Sequence, residues 1–349
     1  MKFVLLLFVV AASAFVAQKR VISPELEQLT GSELVDYVNQ HQTSWKICAK
    51  LSSAFNTLTV EERKRRMGVK SIEVPAEYRM KEVTHREIPD DQIPSTFDAQ
   101  TQWPNCQLIS HIRDQSACGS CWAISSAEAM SDRLCIFSNG QIQVSISAVD
   151  ILSCCGLICN ENCIGGYPIE AFKNWVSKGY VTGGDYNSGE GCKPYPWAEC
   201  EHHYHNETHY KNCPLIPTHL EPKCVHECEA GYSKSYNDDL YFGQSAYAVS
   251  KQVADIQKEL MTNGPIVLAY NIYEDFEHYT GGIYIHTAGS YTGGHAVKLV
   301  GWGTENGTPF WRIANSWNAD WGENGFFRIL RGVDECGIES GAVAGLPKI

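Results

Sequence analysis

An α+β fold, in which a small helical unit precedes a larger disulfide-rich domain, is what the sequence predicts from three observations. Leu29, Leu34, Val35 and Val38 recur at helical spacing early in the chain. A long helix pattern starts at Cys121, and two apolar strand patterns follow late, around His295 and from Trp311. The third observation is a shift in composition. Residues 18–92 hold 12 basic and 12 acidic residues and one cysteine, whereas residues 93–349 hold 15 basic and 28 acidic residues and fourteen of the fifteen cysteines.

Residues 1–17 read as a secretory signal: Lys2 is followed by an apolar run from Val4 to Ala11 and by the small residues Ala12-Ser13-Ala14. That run is far shorter than the roughly 20 residues a membrane-spanning helix needs, and no other stretch reads as transmembrane. Residues 18–92 read as a removable pro-segment, with a second helix start at Thr59, whose Glu62 completes a capping box, and a polar extended stretch from Lys81 to Pro94. A permanent helical accessory domain is the alternative. The net charge of −13 over residues 93–349 argues against a nucleic-acid partner and for solubility or work in an acidic compartment.

On an export route fifteen cysteines imply disulfides, and their odd number leaves at least one thiol over. Asn206 and Asn306 head glycosylation sequons, the second weakened by the Pro309 that follows it.

The most informative stretch is Gln115-Ser116-Ala117-Cys118-Gly119-Ser120-Cys121-Trp122. Its core matches a known local signature of a nucleophilic cysteine. Trp122, Ser125, Ala129, Asp132 and Ile136 are spaced for one side of a helix that Asn139-Gly140 ends. Cys121 therefore stands at a helix start, where the dipole and a neighbouring imidazolium favour thiolate over thiol. Its backbone amide and the Gln115 side-chain amide would supply two donors for an oxyanion. A redox or metal-binding Cys-x-x-Cys is the competing reading, but neither a thioredoxin-like pattern nor a second pair at zinc spacing is present. His295, in a strand pattern from Gly293 to Gly303, is the candidate base. Asn315 would orient its ring, and Trp317 would shield that bond from water.

These residues together resemble the papain family of cysteine peptidases, and within it the cathepsin B-like group, over nearly all of residues 93–349. Cys118-Gly119-Ser120-Cys121-Trp122, Cys163-Ile164-Gly165-Gly166-Tyr167 and Asn315-Ser316-Trp317 carry the likeness, in that order. The resemblance implies a papain-like fold with a helical left domain and a β-barrel right domain flanking the cleft. It also implies that Gly165 and Gly166 bind the substrate backbone. Cys200-Glu201-His202-His203 lies in an insertion at about 192–228 that corresponds to the group's occluding loop. There His202 and His203 would hold a substrate's C-terminal carboxylate, giving peptidyl-dipeptidase beside endopeptidase action, and Asp114 would latch the loop. The group has an arginine late in this loop that pairs with the residue matching Asp320. Here His209 and Lys211 stand in that region, which predicts a weaker or more pH-dependent latch. A zinc site from the histidines and cysteines of the insertion is the alternative.

The implied disulfides are Cys106–Cys135, Cys118–Cys163, Cys154–Cys224, Cys155–Cys159, Cys192–Cys228 and Cys200–Cys213, leaving Cys121 and Cys336 as thiols and Cys48 alone in the pro-segment. Where the group has a glutamate at the base of the pocket for the second acyl-side residue, this chain has Gly341, so apolar side chains are expected there. Phe310 to Glu323 is also similar, with Phe310 and Arg312 off-pattern, to gut cysteine peptidases of blood-feeding worms, which implies a digestive role. The expectation is thus a secreted or lysosomal cysteine peptidase precursor, monomeric, acting on proteins and peptides. Its own pro-segment would inhibit it, with no cofactor, metal, nucleic-acid partner or membrane attachment after signal removal. A catalytically inactive, disulfide-rich binding homologue is the rival.

Overall fold

The computed structural model describes residues 21–48, 66–79, 83–85, 87–156, 159, 162–202, 209–211, 213 and 222–349. The signal reading, the capping box at Thr59, His203 and the sequon at Asn206 lie outside the described residues.

The helix expected from Cys121 is α2 (Cys121–Phe137), which follows α1 (Gly31–His41) of the N-terminal segment. Every residue of α2 from Cys121 to Cys135 is buried, on all sides and not only on one face. A helix so enclosed must satisfy its own polar groups. Ser125, Ser126 and Ser131 donate back to carbonyls one turn earlier. The Arg133 guanidinium donates to the carbonyls of Gly264, Pro265 and Gly345 and pairs with Glu259 at 2.8 Å. Together with α3 (Ala148–Cys154) and α4 (Pro168–Ser177), α2 encloses one core that includes Trp122, Leu152, Phe172 and Trp175.

The second core lies on a sheet. Strand β1 (Trp45–Ile47) comes from the N-terminal segment, and β2 (Phe97–Asp98) and β3 (Tyr247–Ala248) are short. After α5 (Val253–Asn263) come β4 (Ile266–Tyr273), β5 (Tyr279–Tyr284), β6 (Tyr291–Glu305), β7 (Thr308–Ala314), β8 (Phe326–Leu330) and β9 (Val343–Ala344). The strand pattern around His295 is the middle of β6, and the one from Trp311 is the end of β7. Asn306 and Gly307, both at positive φ, turn β6 into β7 as a tight hairpin requires.

The sheet order is β1-β5-β8-β7-β6-β4-β9-β3, with β2 on β6. This corrects the expected β-barrel: the sheet is open. Closure needs the two end strands to pair, and here the ends are the two-residue β3 and the N-terminal segment's β1, which pairs only with β5. The papain-like fold otherwise stands, with a helical half, a sheet half and a cleft between them.

Helix α1 buries Leu34, Val35 and Val38 against the sheet core, as their spacing predicts. The N-terminal segment then crosses the cleft at residues 66–70 and meets the peptidase domain again at Val83, whose amide donates to Ala248 O. Six disulfides staple the chain with the pairing the resemblance implies, and Cys48, Cys121 and Cys336 are outside them. Among the described residues no helix is long and apolar enough to cross a membrane.

Candidate active site

Cys121 is the first residue of α2 and is fully buried. Its Sγ accepts the Gly68 amide at 3.3 Å from one side and the Ala296 amide at 3.5 Å from the other. Strand β6 thus brings His295, next to Ala296, against the helix start. His295 Nε2 meets Asn315 Oδ1 at 2.7 Å, while Nδ1 has no hydrogen-bond partner. The Asn315 orientation follows from its neighbour, because Oδ1 also accepts the Ser316 amide at 2.8 Å and only an oxygen can. An acceptor at Nε2 places the ring's proton there and leaves the Nδ1 lone pair open. The Trp317 ring lies 5.1 Å from that of His295 and covers this bond.

Gln115 is fixed at both ends of its amide. Oε1 accepts from Ser316 Oγ at 2.8 Å and Trp317 Nε1 at 3.2 Å, and Nε2 donates to the carbonyls of Arg66 at 2.8 Å and Cys118 at 2.9 Å. The Arg66 carbonyl thus occupies the Gln115 side-chain amide. Residues 66–70 also bridge the cleft walls: Gly166 N donates to Gly68 O at 2.9 Å, Lys70 N to Gly166 O at 3.3 Å, and Val69 N to Gly294 O at 3.0 Å. Such a close approach needs glycine on both sides. A Cβ at Gly166 would meet Trp122 at 2.6 Å, and one at Gly68 would run into the Gly119 carbonyl. Gly165, at φ 123°, holds the turn before Gly166.

With the cleft sealed, burial decides the charge state. It pushes the Cys121 thiol up to about 11, against the hydrogen bonds from Ala296 and Gly68. It pushes His295 down to about 4, against the bond to Asn315. The helix terminus and imidazolium expected to favour thiolate are outweighed here, and the covered pair is a thiol and a neutral imidazole.

His202 is buried, with Nε2 at 3.1 Å from Asp114 Oδ1, its ring stacked 5.9 Å from Trp317, and Nδ1 without a hydrogen-bond partner. Asp114 is held in turn by the Ser116 amide and Asn318 Nδ2. Further along the insertion, His209 Nδ1 contacts Asp320 Oδ2 at 2.7 Å.

Residues 93–346 match the family described as Papain family cysteine protease. The chain belongs to the papain family of cysteine proteases. It is 50% identical over 338 residues to "Cathepsin B-like cysteine proteinase 6" of Caenorhabditis elegans, covering 95% of this chain and 87% of the relative. It is 48% identical over 330 residues to the "Gut-specific cysteine proteinase" of the same organism, covering 93% of each. The solved structure of procathepsin B S9 from Trypanosoma congolense superposes with a TM-score of 0.75 at 34% identity, over 92% of this chain and 99% of that one. This is therefore a cathepsin B-like cysteine peptidase.

In this papain-family protease, Gly341 floors a recess walled by Tyr167, Pro168, Ala269 and Val343, with residues 71–75 across it. A Cβ there would meet the Ala269 carbonyl at 2.5 Å, and Gly341 brings no carboxylate to the floor. Among the described residues, the candidate metal-ligand clusters are Cys154, Cys224 and His226, and Cys200, His202 and Cys213. Their sulfurs are bonded as disulfides and offer no thiolate. Asn306 is exposed at the β6–β7 turn.

Sequence reasoning missed Gly68 and Arg66, whose only local signal is a glycine after the basic run Arg63–Arg66. It also missed Tyr195, which donates to the Gln115 carbonyl at 2.8 Å and contacts Ser120 Oγ. A lone tyrosine carries no sequence signal for that role.

Proposed function

We propose that this chain is the inactive precursor of a cathepsin B-like peptidase that, once residues 18 to about 92 are removed, hydrolyses proteins and peptides through a thioester on Cys121. The observation that carries the reading is the Nε2–Asn315 bond, which leaves His295 Nδ1 open on the strand whose next residue, Ala296, donates its amide to Cys121 Sγ. Nδ1 takes the thiol proton, and the thiolate adds to the substrate carbonyl while Gln115 Nε2 and the Cys121 amide hold the oxyanion. The C–N bond breaks as His295 returns the proton to the leaving amine. Water, deprotonated by His295, then opens the thioester and restores the thiol.

Gly165 and Gly166 take the substrate backbone where residues 68–70 now lie, and the Gly341 recess takes an apolar side chain. The signal at 1–17, the sequons and the gut-specific relative support a glycosylated, secreted or lysosomal enzyme with a digestive role. A thiol-directed epoxide should label the processed enzyme stoichiometrically and fail on Cys121→Ala; an unlabelled processed form would sink the reading.

The insertion supports peptidyl-dipeptidase action beside endopeptidase action. His202, anchored through Nε2, keeps Nδ1 for a substrate's terminal carboxylate, with His203 as its expected companion. Dipeptide release from a peptide with a free C-terminus should exceed release from its amidated twin. Equal rates at every pH would remove the carboxylate clamp.

A further inference from the structure

Beyond residues 66–70 the N-terminal segment is pinned again, on α5. Its His85 is 6% exposed, with Nε2 at 2.6 Å from Glu259 Oε2 on α5 and Nδ1 at 3.1 Å from Glu87 Oε1. Its backbone amide donates to Asp255 Oδ1 at 3.2 Å. A carboxylate only accepts, and a neutral imidazole carries one N–H. Both ring contacts are therefore hydrogen bonds only when His85 is an imidazolium.

We propose that His85 is an acid-tightened clasp: it takes up a proton on docking, grips the peptidase domain through Glu259 more firmly as pH falls, and stays docked in acid after residues 66–70 leave the cleft. The surrounding charges agree. From α5, Glu259 and Asp255 face His85, and Lys258 is drawn off to Asp90 at 2.6 Å. From α2, Arg133 pairs with the other oxygen of Glu259, which Tyr247 and Asn263 also hold. Burial would raise the Glu259 carboxyl, but Arg133 and His85 hold it down at about 2, so it stays ionised across the working range. The Glu259 bond raises the His85 imidazolium against burial. The grip is thus complete below the free imidazole's range and is lost as pH rises through the docked one. Release strands no charge, because Glu259 keeps Arg133.

The clasp rests on reading residues 18–92 as a pro-segment, but its test does not. In the uncut Cys121→Ala chain, hydrogen exchange is followed at the amides of Val83 and Ser250, which bond Ala248 O and Val83 O. Rates are divided by the unstructured rate at the same pH. Protection should rise on the order of tenfold from about pH 7.5 to about pH 5. It should be flat in His85→Gln and intermediate in Glu87→Gln, whose side chain is 68% exposed; α2 amides, unchanged in all three, report an intact fold. No rise toward acid in the parent, or the same rise in His85→Gln, overturns the clasp. Removal of the segment is a separate question, answered by N-terminal sequencing of the active enzyme.

Discussion

The side-chain amide of Gln115 donates to the backbone carbonyl of Arg66 at 2.8 Å, so the donor proposed for a developing oxyanion already holds an oxygen of its own chain. Gln115→Ala in the processed enzyme should lower kcat by about 10²–10³ with little change in substrate binding. Steady-state kinetics on a peptide ester and amide pair would show it, and an unchanged kcat would remove Gln115 from the oxyanion site.

Gly68 touches the nucleophile through its amide, and an added methyl would meet Cys121 Sγ at 3.0 Å and the Gly119 carbonyl more closely still. Gly68→Ala should weaken docking by about 1–3 kcal/mol. The precursor should convert faster, followed by gel densitometry, while the processed enzyme keeps its kcat/KM because residue 68 is gone.

Among the described residues, two histidine–aspartate contacts hold the insertion, one buried and one exposed. Exposed pairs contribute about 0–1 kcal/mol, so His209→Ala should raise endopeptidase activity against dipeptide release only a few-fold. Asp114→Ala, which leaves buried His202 and Asn318 without their partner, should raise it more. His209→Arg supplies a cation that does not titrate, and the ratio of the two activities should then vary less with pH.

Glu128, one face of α2 below Cys121, is pushed up to about 7 by burial, partly offset by Lys298 and Arg113. Its folded form holds a proton that the unfolded chain releases near the ordinary value of 4.5, so stability falls as pH rises from that value through about 7. The full contribution is on the order of 3 kcal/mol. Glu128→Gln should leave the melting temperature unchanged in acid and raise it above neutrality. A parallel pH profile in the variant would dismiss Glu128 as the cause.

The parts of the site that were readable in the sequence are those written locally. Cys121 announces itself through Gly119-Ser120-Cys121-Trp122 and the helical spacing that follows, His295 sits within one strand pattern, and Asn315 sits just past the end of another. Contacts between residues far apart in sequence leave no such trace. His85 and Glu259 are separated by 174 positions, and Arg66 meets Gln115 only because α1 and β1 first anchor the N-terminal segment to the sheet. The open sheet escaped for the same reason, since closure depends on which short end strands pair. The raised thiol of the covered chain was not legible either, because a helix dipole is local, while burial is supplied by a segment that covers the helix from outside.

Six disulfides close in this chain, which needs an oxidising compartment, yet the one cysteine proposed to work must reach its substrate as a thiol. Exchange and oxidation both require thiolate and access. A lid that dries Cys121 and pushes it to about 11 denies both, so the same stretch that blocks substrate also chaperones the thiol past its own disulfide chemistry.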